Sequence, residues 1–355
     1  MNDNAIKFIR KSARFYRLLF DDLKNATRSV KIQMYCVEQG AYGDELKRIL
    51  KDIARQGVEV DFMYDSAGSL ASSSSYFDNM DGVNVTEYHP VNPRRVSGKY
   101  SFNKLFRRNH RKIVIIDSHI WYLGGMNIGE RFIDWEDIML RGEGGPVDDL
   151  CNAVDRIFNK NSAWRQMHLK TPQPQVIEVC DCRPRVKHYP TKRLYISSIK
   201  KAKERVWIAQ AYFVPRRKLI RALSRAAGRG VDVRIIVPDI SDVKVVDLAT
   251  WPVIRKLVNK GVKVFRFKER MLHAKIAIID NKLVTIGTAN LDSMSFYWNL
   301  ELNLLIRDPE IIETAADIFI DYIKHSREVD ESEIKTRPLP LRILGRICYS
   351  YSWIL

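Results

Sequence analysis

One spaced phrase occurs twice in this chain, and it narrows the folds that can hold it. His110, Lys112 and Asp117 are followed by Gly124-Gly125-Met126-Asn127, and His273, Lys275 and Asp280 by Gly287-Thr288-Ala289-Asn290. In both copies the Lys stands two positions after the His and the Asp seven after it; the first Gly then follows the Asp by seven and the Asn follows it by ten. The runs Lys112-Ile113-Val114-Ile115-Ile116 and Lys275-Ile276-Ala277-Ile278-Ile279 are apolar and mostly β-branched, which predicts buried strands. Two positions apart on a strand, His and Lys project from one face. Asp117-Ser118 and Asp280-Asn281 predict turns. Ile120 to Leu123 and Leu283 to Ile286 predict returning strands, each ending in a Gly-containing turn that presents an Asn. Such a hairpin gathers an imidazole, a fixed cation and an amide at one end, the set a phosphoryl centre needs.

The repeat extends beyond these hairpins. Ala26 to Ile32 matches Ala202 to Ile208, and Leu46 to Arg55 with Gly57-Val58-Glu59-Val60 matches Leu219 to Ala227 with Gly230-Val231-Asp232-Val233. Each half predicts helix, strand, helix, strand, irregular segment, hairpin, helix. That alternation predicts an α/β fold. A chain of 355 residues suits two domains, and two repeats are too few for an open solenoid. The expected architecture is two similar α/β domains in a pseudo-twofold arrangement, with both His residues facing one cleft at their interface. The expected divisions are an N-terminal segment 1–20, a first domain 21–170, a linker region 171–190, a second domain 191–335 and a C-terminal tail 336–355.

The duplicated motif resembles the signature of the phospholipase D superfamily, HxK(x)4D followed by a GSxN-like turn. Within it, the chain is most similar to the bacterial cardiolipin synthases, in short forms without N-terminal membrane spans. Gly124-Gly125-Met126-Asn127-Ile128-Gly129 is similar to their first turn. Gly287-Thr288-Ala289-Asn290-Leu291-Asp292, with Ser295-Phe296, Asn299 and Glu301, is similar to their second. Tyr212-Phe213-Val214-Pro215 fits the family too, and the resemblance covers residues 20 to 330. Gly125 stands where many relatives have Ser, and Thr288 replaces Ser, so a hydroxyl is present in one half only and receives no essential role. The resemblance implies two phospholipase D-like domains and a phosphatidyltransferase working through a phosphohistidine. It would move a phosphatidyl group from one phosphatidylglycerol to the hydroxyl of a second phospholipid and release glycerol. Hydrolysis of the phospholipase D type is a variant of the same chemistry.

The residue types support that chemistry on their own. An imidazole can attack a phosphodiester phosphorus, and a second must protonate the departing alkoxide. The attacker must be neutral and the donor charged, so the two need different surroundings. Lys112, Lys275, Asn127 and Asn290 are the candidates to hold the developing negative charge. With protein cations in that place, no metal and no other cofactor is expected. A lysine near a His favours its neutral form, and a carboxylate at its other nitrogen favours the charged form. Glu301, eleven residues after Asn290, stands where the family has such a carboxylate. Asp137, ten after Asn127, is the candidate in the first half, with Glu136 and Glu130 as substitutes. Asp117 and Asp280 sit at the far end of the strand and are expected to support it. A symmetric repeat does not say which His attacks; the resemblance points to His110 as nucleophile and His273 as acid. His89, His119, His168, His188 and His325 have no counterparts and are expected to be structural or solvent-facing.

Charge bears on the partner. Lys and Arg number 59 against 42 Asp and Glu, a net charge of +17. A basic surface attracts anionic lipid or nucleic acid, and charge alone does not choose. A metal-independent nuclease is therefore the alternative reading, supported by Arg94, Arg95, Arg107, Arg108 and Arg111. The family-like turns and the apolar ends favour lipid. No apolar run reaches the roughly 18 to 20 residues that span a bilayer, and no secretory signal is visible. Ile6 to Phe20 reads either as a basic amphipathic helix in the headgroup region or as a helix packed on the first domain. Tyr100 to Arg108 reads as an interfacial rim over the site, and Leu339 to Leu355 as an interfacial anchor. The expected partners are anionic phospholipid, phosphatidylglycerol or cardiolipin, and a membrane surface. The expected place is peripheral, on the cytoplasmic face of the bacterial inner membrane. Five cysteines stand without metal-site spacing and are expected to be reduced.

Overall fold

A computed structural model of the chain describes residues 6–73, 75–96, 102–158, 176–184 and 189–352. The first half runs β1 (Lys7–Ile9), α1 (Ser12–Lys24), β2 (Ser29–Met34), α2 (Ala41–Arg55), β3 (Glu59–Asp65), β4 (Val83–Tyr88), α3 (Phe102–Leu105), β5 (Lys112–Ile116), β6 (Ile120–Gly124), β7 (Met139–Glu143) and α4 (Val147–Phe158). The second half opens with β8 (Ile177–Cys182), α5 (Pro190–Lys201), β9 (Arg205–Gln210), α6 (Arg217–Gly228), β10 (Asp232–Pro238), α7 (Lys244–Val258) and β11 (Lys263–Phe267). It continues with β12 (Lys275–Ile279), β13 (Leu283–Gly287), α8 (Ser293–Tyr297), β14 (Glu301–Ile306), α9 (Pro309–Lys324), β15 (Ser326–Glu328), α10 (Glu331–Thr336) and α11 (Leu339–Ser350).

The halves repeat strand for strand. One sheet is ordered β1-β7-β6-β5-β2-β3-β4, and the other β15-β11-β10-β9-β12-β13-β14-β8. Read from opposite ends, β5, β6 and β7 correspond to β12, β13 and β14, and β2, β3 and β4 to β9, β10 and β11. Strands β2–β3–β4 and β9–β10–β11 are parallel, and each catalytic hairpin joins its sheet antiparallel, through β5 on β2 and β12 on β9.

Strand alternation explains how the halves meet. Val114 and Ile116 of β5 face an outer core with Phe15, Leu19 and Leu46. Ile113 and Ile115 face the other way, into a core shared with Ile276, Ile278, Leu302 and Leu304 of the second half. Ala277 and Ile279 of β12 point outward again, into the second half's own core. The two sheets thus pack face to face. Burying each of these Ile or Leu side chains contributes on the order of 1.5–3 kcal/mol.

The terminal segments depart from the expected divisions. β1 pairs with β7, and α1 buries Phe15, Tyr16, Leu19, Phe20 and Leu23 in the first core. The apolar face of Ile6 to Phe20 is therefore spent within the first domain, so this segment does not lie in a headgroup layer. Part of the expected linker, Ile177–Cys182, is a strand paired with β14; residues 159–175 and 185–188 lie outside the described set. The C-terminal segment folds onto the second half, with α11 against α7. A Cβ at Gly345 would stand 2.8 Å from the carbonyl oxygen of Leu248, so only glycine permits this approach. No helix among the described residues is long and apolar enough to cross a membrane.

Candidate active site

His110 precedes β5 and His273 precedes β12, and short parallel bridges from the opposite half hold each in place. The His110 amide donates to Leu300 O at 3.0 Å and the Leu300 amide to Arg108 O at 2.8 Å. The His273 amide donates to Glu136 O at 2.7 Å and the Glu136 amide to Met271 O at 2.9 Å. Each bridge lies one residue before a carboxylate. Glu301 then places both oxygens 3.0 Å from Nδ1 of His110, and Asp137 places Oδ2 2.6 Å from Nδ1 of His273. Each ring is thus oriented by an acid from the other half. Glu136, a weighed substitute for Asp137, instead pairs with Arg10 and Lys11. Glu130 is bonded to the Tyr42 amide.

The motif's first glycine follows from the third strand of each sheet. A Cβ at Gly124 would lie 2.2 Å from Ile138 O, and one at Gly287 2.3 Å from Leu302 O. The second position differs between halves, and the carboxylates explain the difference. Thr288 Oγ1 donates to Glu301 Oε2 at 2.6 Å, and Ser295 Oγ donates to Glu301 Oε1 at 2.7 Å. At Gly125 a Cβ would stand 2.2 Å from Asp137 Oδ1, so the shorter acid occupies the space a serine would need. The Thr288 hydroxyl, expected to have no essential role, positions the acid that positions His110.

Both rings are buried. A carboxylate at Nδ1 selects the tautomer with its proton there and leaves the Nε2 lone pair free. Burial lowers the His110 pKa, opposed by Glu301 and assisted by Lys112. Burial and then Lys275 push His273 down to about 4, against Asp137. Glu301 stays below the usual carboxylate range because His110, Lys112 and Thr288 together outweigh its burial. Lys112 Nζ donates to His110 O at 2.8 Å and lies 4.7 Å from the Tyr35 ring centre; Lys275 Nζ donates to His273 O. Burial pushes Lys112 to about 7, with Lys275 adding repulsion, and pushes Lys275 to about 8. The side-chain oxygens of Asn127 and Asn290 are buried without a hydrogen-bond partner among the described residues. Two buried cations, each ordinarily charged, stand beside two asparagines whose amide nitrogens can donate, which makes the site a receptor for an anion.

Asp117 and Asp280 lie elsewhere. Asp117 accepts from the amides of Thr27, Arg28 and Ser29 at 2.7 to 2.9 Å, and Asp280 from those of Lys203, Glu204 and Arg205 at 2.8 to 3.2 Å. Both tie the hairpin turn to the turn before the neighbouring strand, at the opposite end of β5 and β12 from the histidines. Members of the repeated motif by sequence, they support the fold from that end and do not reach the histidines.

Several residues around the rings were missed. Tyr35 packs against His110 with ring centres 4.7 Å apart; Trp135 and Tyr212 stand 5.0 and 6.0 Å from His273. Tyr35 and Tyr212 lie just past the ends of β2 and β9, so extending the match of Ala26–Ile32 to Ala202–Ile208 by a few positions reaches an aromatic in each half. Asp292 caps α8 by accepting from the Ser295 amide at 2.7 Å, and burial, with Glu301 adding, pushes it up to about 7.

The arginines that supported a nuclease are largely committed inside the protein. Arg95 pairs with Asp78 and Glu87, Arg108 with buried Asp65, and Arg111 with Asp181. Arg108, the last residue of the expected rim, and Arg111 beyond it are buried, while Phe106 is exposed; Tyr100 and Ser101 of the rim lie outside the described set, as do His168 and His188.

Comparison with known proteins agrees with this geometry. The family described as "Cardiolipin synthase, PLD-like domain" matches residues 19–161 and 195–323, one stretch for each half. A cardiolipin synthase of Geobacillus kaustophilus is 32% identical over 341 residues, covering 92% of this chain and 67% of that protein. A probable cardiolipin synthase of Bacillus subtilis is 32% identical over 350 residues, covering 93% of this chain and 68% of that one. The crystal structure of a phosphatidylserine synthase from Haemophilus influenzae shares the fold, with a TM-score of 0.78 at 14% identity over 99% of this chain and 95% of that one. A polyphosphate kinase from Porphyromonas gingivalis shares it too, with a TM-score of 0.64 at 14% identity over 98% of this chain and 52% of that one. The chain belongs to the cardiolipin synthase family of phospholipase D-like phosphatidyltransferases.

Proposed function

We propose that β1 to α4 and β8 to α11 form two domains sharing one site, and that this site makes cardiolipin from phosphatidylglycerol. Nε2 of neutral His110 attacks the donor phosphorus. The bond from phosphorus to the glycerol headgroup oxygen breaks, and His273 gives that oxygen a proton. The phosphohistidine then holds the phosphatidyl group. His273, now neutral, takes the proton of a second phosphatidylglycerol's hydroxyl, whose oxygen attacks phosphorus. The bond from phosphorus to nitrogen breaks, and both rings return to their starting state. Lys112, Lys275, Asn127 and Asn290 hold the non-bridging oxygens throughout.

The exchanged carboxylates carry this reading, and their unequal surroundings support the order of the rings. Glu301 shares its charge with Thr288 and Ser295, which leaves His110 less drawn to a proton. Asp137 spends only its other oxygen, on the Ile138 amide at 2.7 Å. A bound phosphate anion would engage Lys275, easing the repulsion that keeps His273 neutral and leaving Asp137 to favour the imidazolium. Burial of the site supports transfer to an alcohol over hydrolysis. We place the enzyme peripherally at an anionic bilayer, on the cytoplasmic face of the bacterial inner membrane; five unpaired cysteines fit a reducing compartment.

Purified protein given phosphatidylglycerol in mixed micelles should yield cardiolipin and free glycerol and leave single-stranded DNA intact. His273→Ala should retain labelled phosphatidyl on His110, and His110→Ala should not. Phosphatidic acid as the sole product would point to a hydrolase, and DNA fragments without lipid product would overturn the reading.

A further inference from the structure

Helix α11 is apolar on both faces. Its inner face meets α7 through Gly345. On its outer face Leu344 joins Ile343, Ile347 and Tyr351, about half exposed at 48%, 50% and 59%, in a stripe at helical spacing. No acidic residue occurs between Leu339 and Ser352. Such a stripe is either covered by protein or meets another apolar phase.

Beside this stripe, α7 and α11 enclose an open cavity of about 430 Å³. Arg255 and Lys256 enter it from α7, Arg337 from the segment before α11, and Arg342 and Arg346 from α11. Trp251 and Tyr349 supply its aromatic wall, with the Arg337 guanidinium 4.0 Å from the Trp251 ring centre. No acidic side chain among the described residues lines the cavity. The Nε groups of Arg337 and Arg342 are shut off from solvent without a hydrogen-bond partner. Five cations without an acidic neighbour in the lining fit a phosphate, and the adjoining apolar stripe fits the chains attached to one.

We propose that this cavity binds the phosphate headgroup of an anionic phospholipid while the outer stripe of α11 enters the acyl layer, docking the enzyme on its bilayer. The site is separate from the catalytic one and linked to it. Tyr349 Oη donates to Pro215 O at 3.1 Å, and Pro215 lies three residues beyond Tyr212, which packs on His273. The docked helix therefore sets the bilayer beside a wall of the catalytic site. The proposal rests on the reading of the protein as an enzyme of membrane lipids, but its test does not depend on turnover.

The full chain should co-sediment with vesicles of phosphatidylcholine plus phosphatidylglycerol, and weakly with phosphatidylcholine alone. Arg342→Gln/Arg346→Gln should weaken that binding by roughly tenfold or more, at about fivefold per cation. Ile343→Ser/Ile347→Ser should weaken it comparably. Lys24→Gln/Arg48→Gln, which removes the same charge from the other half, should not. Turnover of short-chain phosphatidylglycerol dispersed as monomers should be unchanged in all three variants. Wild-type binding by both α11 variants would overturn the proposal. So would equal loss in the Lys24/Arg48 control, or a dimer in sedimentation that Ile343→Ser/Ile347→Ser converts to monomer, which would make the stripe a contact between copies. Vesicle binding as expected from a protein with no turnover would sink the catalytic reading and leave the docking site standing.

Discussion

Asp137 and His273 lie 136 positions apart, in different halves of the chain, with carboxylate and ring nitrogen 2.6 Å from each other. Glu301 and His110 repeat the relationship in reverse. An amide in place of either acid keeps the size but can present a donor to Nδ1, which moves the ring proton to Nε2 and removes the lone pair. Asp137→Asn and Glu301→Gln should each lower kcat by ~10²–10⁴, the scale of general acid–base and tautomer effects. A steady-state kcat close to wild type in either variant would count against the pairing having a chemical role.

The Gly125 and Thr288 positions should respond oppositely to the same residue. Gly125→Ser places a Cβ against Asp137, which must swing away from His273, so activity should fall at least ~10-fold. Thr288→Ser keeps the hydroxyl and should be nearly silent. Thr288→Val leaves a Glu301 lone pair unmet and should cost about 1–3 kcal/mol of transition-state stabilisation. Comparing kcat/KM across the three proteins checks the asymmetry, and a tolerated Gly125→Ser would refute it.

Substrate binding should weaken as pH rises. Burial lowers Lys112 to about 7 and Lys275 to about 8. Each must be charged to hold a phosphodiester, and raising the pH removes that charge. Above pH ~8 the apparent KM should therefore climb, by about tenfold per pH unit for each lysine required. Initial rates with micellar phosphatidylglycerol between neutral and alkaline pH would measure this. A flat KM would mean that the cations are held charged by something other than the ligand.

Asp117 and Asp280 should govern stability instead of chemistry. Each accepts three backbone amides, so Asp117→Ala or Asp280→Ala should cost about 2–4 kcal/mol of folding free energy. Thermal melts should shift down by roughly 5–12 °C. The turnover per folded molecule at low temperature should hold, and a selective loss of kcat without a change in melting would return these residues to the site.

The hairpins were legible because their signal is local. A β-branched run bounded by Asp-Ser or Asp-Asn can be read without knowing what it touches. The strands that follow were not read: Met139–Glu143 holds an Arg and a Gly, and Glu301–Ile306 is buried throughout, so neither alternates. The predicted order passes from hairpin to helix without them, although Asp137 and Glu301 enter the site beside them. Which acid serves which ring was also hidden, because a repeated sequence has the same local pattern whether its pairs form within a half or between halves. The period of α1 announced one covered face but not the partner that covers it. In α11 both faces are apolar, and sequence could not tell which of them α7 takes.

The crossed donation of acids means that neither half, cut free, would possess a complete reaction centre. Each would keep a ring without the group that orients it, and an acid with nothing to orient. A protein of half this length and the same design would need a second copy of itself to complete a centre, and the single chain keeps the two halves together. Within one chain the two halves need not be identical, and a glycine and a threonine stand at the equivalent places beside the two acids.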